Sequence, residues 1–266
     1  MKQSLVSIHP EAKIGANVSI GHFTTIDRNV VIGDGTRIGS NVTILEGSRI
    51  GKGCNIFPGA VIGAIPQDLK FAGEESTVEI GNNTTIRECV TVNRGTKSKG
   101  RTIVGSNTLL MAYVHIAHDC IIGNNVILAN GVQIAGEVII DDWAIISGLC
   151  AIHQFVRIGA HAMLSGGSLV QKDVPPYIKA ARDPLSYAGV NSIGLRRRDF
   201  TNDQICDIQN CYRVLFQSNL NNSEAVARIE AELPASKERD EIILFVKNSD
   251  RGIIKGYHRM SEQKEE

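Results

Sequence analysis

The sequence predicts a mainly β protein, a parallel β-helix over roughly its first two-thirds followed by a short helical domain. Three observations predict it: an aliphatic residue every six positions, a small residue or Val two places before it, and Asn or Gly three places after it. Stepping by six from Ile8 to Val170 meets Ile, Leu or Val at 25 of 28 positions, the exceptions being Asp68, Glu74 and Ser98. A period of six fits neither 3.6 nor 3.5 residues per turn, which excludes an amphipathic helix.

Each part of the hexapeptide has its own reason. The aliphatic residue and the one two places earlier (Val30, Val42, Cys54, Ala60, Val114, Cys120, Val126, Ala144) share one side of the chain, as strand alternation requires. The residue three places after (Asn17, Asn29, Gly35, Asn41, Asn83, Asn107, Asn125, Gly131) tolerates positive φ at a corner. Three such faces close a coil of 18 residues, stacked on the next at roughly 4.8 Å.

The three exceptions keep the phase. Residues 63–79 are expected to take up one coil's worth of chain as a loop thrown out from the prism, with a smaller loop near 96–101. Loops leaving a regular scaffold are where function concentrates. The period ends at Asp173–Tyr177 (DVPPY), whose paired prolines are expected to stop strand pairing. Beyond it, Thr201-Asn202-Asp203-Gln204 has the form of a capping box, and two further helices are expected near 223–233 and 236–249, with a frayed SEQKEE tail. The boundary falls near 174–190, giving a β-helix domain over 1–185 and a helical domain over 186–266.

A formal net charge of zero gives no argument for nucleic acid or a membrane surface. No segment is apolar and long enough to span a bilayer, and the amino-terminal stretch lacks the apolar run of a signal peptide. The six cysteines form no CxxC pair and no metal-type spacing, so a cytoplasmic protein with reduced thiols and no metal is expected.

Chemistry concentrates late in the repeat. Around inward Ile116, the segment Tyr113–Asp119 carries His115, His118 and Asp119. On an 18-residue coil, His118, Gly136 and Gln154 stack in one column, with His153 beside Gln154. A lone outward His is usually only a surface residue, but a His with Gly one coil away suits acyl transfer. The His serves as general base, and Gly lets a backbone N–H approach a developing oxyanion. Asp119 would fix the imidazole tautomer. Cys120 occupies the small inward position and is expected to be inert. The triplet Arg196-Arg197-Arg198 reads as a solvated face or a phosphate-binding patch.

The stretches QDLKFAGE (67–74), NRGT (93–96), HIAHDC (115–120), AIHQF (151–155), DVPPY (173–177) and GVNSIGLRRR (189–198) carry a resemblance. In order and spacing, over essentially the whole chain, they resemble the left-handed β-helix hexapeptide-repeat acyltransferases, and among these the UDP-N-acetylglucosamine 3-O-acyltransferase family of lipid A synthesis. The left hand comes only from this resemblance, since general chirality rules favour right-handed crossovers.

The resemblance implies transfer of an (R)-3-hydroxyacyl group from acyl carrier protein to the 3-hydroxyl of UDP-N-acetylglucosamine, without a covalent acyl-enzyme. It implies His118 as general base, Asp119 as its partner and Gly136 as the oxyanion donor. Asp68, Lys70, His115, His153, Gln154, Asn191 and Arg197 match residues that hold the sugar nucleotide. Gly166 matches the position limiting acyl length, so the groove is expected to accept a fairly long chain. A homotrimer is implied, and no cofactor beyond the phosphopantetheine of the carrier. Two departures stand out: Asn93 and Glu137 occupy positions where family members carry His.

Four rivals compete. A sister enzyme acylating a sugar amine usually has an extra N-terminal domain, whereas here the repeat has begun by residue 8. An acceptor with a 3-amino group would use the same base and groove. A β-helix carbonic anhydrase would need His115, His118 and His153 as zinc ligands between subunits, which metal analysis would detect. A purely structural prism leaves the ejected loop and the His column without a purpose.

Overall fold

A computed structural model describes residues 5–256. The hexapeptides form short strands that stack in parallel on three faces, every third strand as far as Leu169–Val170 joining the same sheet; among the described residues the sheets have nine, eight and eleven strands, the last including three later strands. The register step is 18 residues: Ile116 pairs with Ile134, and Ile134 with Ile152. The SEQKEE tail lies outside the described residues.

Every repeat aliphatic from Ile26 to Val170 is at most 4% exposed, so continuous Ile, Leu and Val columns fill the prism. Burying one such side chain contributes about 1.5–3 kcal/mol. Ile8, in the first described strand, is 43% exposed and among the described residues has a strand neighbour on one side only. Thr24, Thr36, Thr84 and Thr108 take the small inward position, and their hydroxyls donate to carbonyls of the adjoining coil. That pairing removes the cost of burying a hydroxyl.

The corner residues adopt positive φ, as the Asn and Gly pattern predicts (Asn17, Asn29 and Asn125 at 57°, 52° and 57°). Later corners break the pattern in composition but not geometry. Tyr113, Asp119, Glu137, Trp143, Leu149, Phe155 and His161 all sit at φ between 59° and 68°. Left-handed backbone costs an ordinary residue about 1–2 kcal/mol.

The ejected loop is shorter than a full coil. Strand pairing continues through Val61–Ala64 and resumes at Thr77–Ile80, so the irregular stretch is 65–76. The register from Ile62 to Val92 is 30 residues instead of 18. From Val92 to Ile116 it is 24, which is a six-residue insertion around 94–100. Both insertions are multiples of six, and that is why the phase survives.

The prolines of DVPPY do not stop the sheet. Val174 bridges to Ile158, and Ile178–Ala181 pairs in parallel with Met163–Leu164. Pro175 and Pro176 lie just before a corner, where Tyr177 has φ 66° and donates its N–H to Ala160 O. Ser186–Val190, antiparallel, and Lys255–Gly256 then extend the same sheet.

Four helices follow among the described residues: α1 (Ser192–Arg196), α2 (Asn202–Gln217), α3 (Asn222–Glu232) and α4 (Lys237–Lys247). Thr201 and Gln204 form the expected capping box, and Asn221 and Glu224 a second. The helices meet the prism through a stack of corner residues. Trp143, His161 and Tyr177 stack in succession, Phe200 packs edge-on, and the Arg198 guanidinium lies 5.2 Å from the Trp143 ring. Burial, reinforced by Arg198, pushes the His161 imidazole down to about 4. It is therefore neutral at physiological pH, and its Nδ1 accepts from Arg198 at 3.2 Å.

Candidate active site

The site begins with Asp119, whose corner conformation (φ 60°) turns its carboxylate inward beneath the 94–100 insertion. The residue is fully buried and accepts four hydrogen bonds. Oδ1 receives the N–H groups of Thr96 (3.0 Å) and Lys99 (3.2 Å). Oδ2 receives the Thr96 hydroxyl (2.6 Å) and His118 Nδ1 (2.8 Å). Burial works against the charge, but the donors from Thr96, His118 and Lys99 outweigh it and hold the carboxyl below its usual range.

An ionised Asp119 can only accept, so the proton of neutral His118 resides on Nδ1 and Nε2 carries a lone pair. Among the described residues Nε2 has no protein partner. His118 is 9% exposed and presents this edge to a cleft of about 410 Å³. The cleft is also lined by Gln67, His115, Ala117, Gln133 and Gly136.

Gly136 lies one coil from His118, as the register of Ile116 on Ile134 dictates. A Cβ on Gly136 would stand 2.6 Å from both Cε1 and Nε2 of the imidazole. The imidazole therefore rests on bare backbone. Glu137 N–H donates to His118 O at 3.0 Å, tying the two coils together beside the site. The Gly136 N–H has no acceptor among the described residues, which leaves a donor next to Nε2.

His115 Nδ1 pairs with Thr91 Oγ1 at 2.7 Å, and burial lowers its pKa, so it enters the cleft uncharged. Cys120, buried in the prism, is pushed up to about 12 by desolvation and is no nucleophile. Among the described residues no three His, Cys, Asp or Glu side chains are grouped to hold a metal ion.

The cleft thus gathers His115, His118 and Gly136, with Asp119 behind them. It also contains Gln67, which sequence reasoning passed over in favour of its neighbours; the only signal was its place in the QDLK stretch. Asp68 instead shapes the loop, accepting the Lys70 N–H at 2.9 Å, and Lys70 is exposed. Gln154 stacks in the His118 column by register, and His153 Nδ1 pairs with Gln154 O at 3.1 Å. Gly166, Asn191 and Arg197 lie away from the cleft lining. The Asn191 side chain caps α1, accepting Gly194 N–H and donating to His161 O, while Arg197 is exposed at the end of α1. Asn93, one of the two departures, donates to Ile65 O at 2.8 Å and to Ala64 O at 3.3 Å, so it anchors the root of the ejected loop.

Comparison with known proteins decides the family. Residues 173–254 match the second domain of UDP-N-acetylglucosamine O-acyltransferases, and residues 101–136 match the bacterial transferase hexapeptide repeat. Residues 3–96 match the GMPPB C-terminal domain. An acyl-[acyl-carrier-protein]–UDP-N-acetylglucosamine O-acyltransferase of Herminiimonas arsenicoxydans is 42% identical over 257 residues, spanning 95% of this chain and 98% of that protein. The chain belongs to the acyl-carrier-protein–UDP-N-acetylglucosamine O-acyltransferase family. A Myxococcus xanthus relative of the same description is 48% identical over 195 residues, covering 73% of this chain and 76% of its own. The crystal structure of a UDP-N-acetylglucosamine acyltransferase from Bacteroides fragilis superposes with a TM-score of 0.94 at 60% identity, covering 96% of this chain and 100% of that one. An Arabidopsis UDP-N-acetylglucosamine acyltransferase gives 0.85 at 32% identity over 94% of this chain and 99% of its own. The fold is accordingly a left-handed parallel β-helix of hexapeptide repeats with a helical C-terminal region, and the protein is an acyltransferase.

Proposed function

We propose that this acyltransferase moves an (R)-3-hydroxyacyl group from acyl carrier protein to the 3-hydroxyl of UDP-N-acetylglucosamine, the first step of lipid A biosynthesis, with His118 as general base. The observation that carries the reading is the unpartnered Nε2 of His118, fixed in its tautomer by a buried carboxylate and set beside a free backbone N–H. Nε2 takes the proton of the sugar hydroxyl as its oxygen attacks the thioester carbonyl. The Gly136 N–H supports the oxyanion, and the imidazolium returns the proton to the leaving thiolate. No cofactor beyond the donor's phosphopantetheine takes part. A positioned base supplies roughly 10²–10⁴-fold in rate, and the oxyanion contact more.

Asp68, Lys70 and His115 hold the sugar nucleotide in this reading, together with His153, Gln154, Asn191 and Arg197. Some of these do not line the cleft of a single chain, so the complete site would form between prisms of a homotrimer. The protein would act in the cytoplasm; among the described residues no helix is long and apolar enough to cross a membrane.

The test is incubation of the purified protein with 3-hydroxyacyl carrier protein and UDP-N-acetylglucosamine. Mass spectrometry is expected to show an acylated nucleotide with its ester on O3, and intact-protein mass no acyl adduct. An acyl-enzyme that accumulates, or transfer only to a 3-amino sugar nucleotide, would refute the proposed mechanism or acceptor.

A further inference from the structure

The 94–100 insertion is the one place between Ile86 and Val170 where the hexapeptide period is interrupted, and it folds back onto Asp119. Thr96 lies within it, 7% exposed, and gives Asp119 both its hydroxyl (2.6 Å to Oδ2) and its backbone N–H (3.0 Å to Oδ1). The hydroxyl shares Oδ2 with His118 Nδ1, so two donors meet on the oxygen that orients the base. The Thr96 hydroxyl also receives the Ser98 N–H at 3.1 Å, which fixes its rotor so that its own proton points at the carboxylate. Next to it, Lys97 N–H donates to Glu74 of the ejected loop at 2.9 Å, and Lys99 Nζ to Asp119 O at 3.3 Å.

We propose that Thr96 is a positioning residue for the transfer reaction, the third member of a Thr96–Asp119–His118 relay. This rests on His118 being the base. The Thr96 hydroxyl does not touch the reacting atoms. It holds the Asp119 carboxylate in the plane that aims Nε2 into the cleft, and it takes up part of the charge on Oδ2. A carboxylate relieved of that donor would place more of its charge on the imidazolium, favouring the protonated base. The six-residue insertion thereby has a specific use, since it carries the hydroxyl that meets Asp119 Oδ2 beside His118.

The experiment compares Thr96→Val, Thr96→Ser and His118→Ala with wild type, each confirmed folded by circular dichroism. Thr96→Val keeps the shape and removes the hydroxyl. Its kcat is expected to fall about 10–100-fold, the range for a lost hydrogen bond to a charged group, with the KM for UDP-N-acetylglucosamine within about threefold of wild type because Thr96 does not line the cleft. The acid limb of its kcat/KM–pH profile is expected to move to higher pH, and Thr96→Ser to recover most of the rate. Thr96→Val with wild-type kcat and an unmoved acid limb would overturn the proposal, as would Thr96→Ser impaired as severely as Thr96→Val. A fully active His118→Ala would instead remove the base on which the relay depends, whatever the Thr96 variants do.

Discussion

The backbone of Gly136 forms the seat of the His118 imidazole, so closely that a methyl group there would stand 2.6 Å from Cε1 and Nε2. The contact is set by the 18-residue register and needs no side chain at position 136. Gly136→Ala is therefore expected to displace the imidazole and lower kcat by at least ~100-fold, comparable to loss of an oxyanion donor. The melting temperature should change little, because the displaced ring borders a cleft and not the prism interior. Steady-state kinetics with a thermal melt separate the two effects.

Asn93 ties the root of the 65–76 loop through two hydrogen bonds from its amide to Ala64 O and Ile65 O. Gln67, two residues beyond Ile65, lines the cleft. Removing these bonds with Asn93→Ala is expected to raise the KM for the sugar nucleotide about 5–30-fold, the equivalent of one or two hydrogen bonds, with a smaller effect on kcat. Initial rates over a range of acceptor concentration would show it. An unchanged KM would mean that the loop does not position the acceptor.

Gly166 is exposed, and a Cβ there would already approach Gly148 O at 3.2 Å. If Gly166 limits acyl length, as the family resemblance implies, a larger side chain there would shorten the space left for the acyl chain. Gly166→Met is expected to shift preference toward shorter 3-hydroxyacyl donors by at least ~10-fold in relative kcat/KM, the scale of removing a few methylenes from a groove. A competition assay with mixed acyl carriers reads the ratio directly; wild type favouring short chains would contradict the open groove.

Asp141 is raised to about 6, chiefly by burial, which Arg157 opposes and the carboxylates of Glu241 and Asp142 reinforce. The folded state therefore holds this proton more tightly than the unfolded chain. The associated stability is present below the ordinary Asp value near 3.8 and is lost as pH rises through about 6. Asp141→Asn removes the penalty of a buried charge at neutral pH. It is expected to raise stability at pH 7.5 by on the order of 1–3 kcal/mol, with the gain vanishing near pH 4. Thermal melts of both proteins across this range would test the sign.

The repeat made the prism legible because one residue in six is enough to define both strand and corner. It also placed Gly136 over His118, since that relation depends only on an 18-residue step. The places where the step breaks were legible from the exceptions at Asp68, Glu74 and Ser98, but the contacts made there were not. The insertion containing Thr96 hides its contact with Asp119, because no periodic rule says where a loop's side chains fall. The 65–76 loop looked a full coil long because strand pairing runs past the on-phase Ile62 to Ala64 and resumes at Thr77, ahead of the on-phase Ile80. DVPPY read as a stop because prolines cannot donate to a ladder, yet they occupy a corner where no ladder donor is needed. The arginine triplet read as one patch, but Arg198 alone turns inward onto Trp143 and His161, held by tertiary contacts that the sequence does not display.

The central claim is that His118 Nε2 removes the proton of the acceptor hydroxyl. Its most direct test is the kcat of His118→Ala, checked for folding by circular dichroism, against wild type with saturating 3-hydroxyacyl carrier protein and UDP-N-acetylglucosamine. Loss of roughly 10²–10⁴-fold is predicted, the contribution of a positioned general base. A folded His118→Ala that keeps more than about a tenth of wild-type kcat, far above that range, would contradict it and assign the base elsewhere in the cleft.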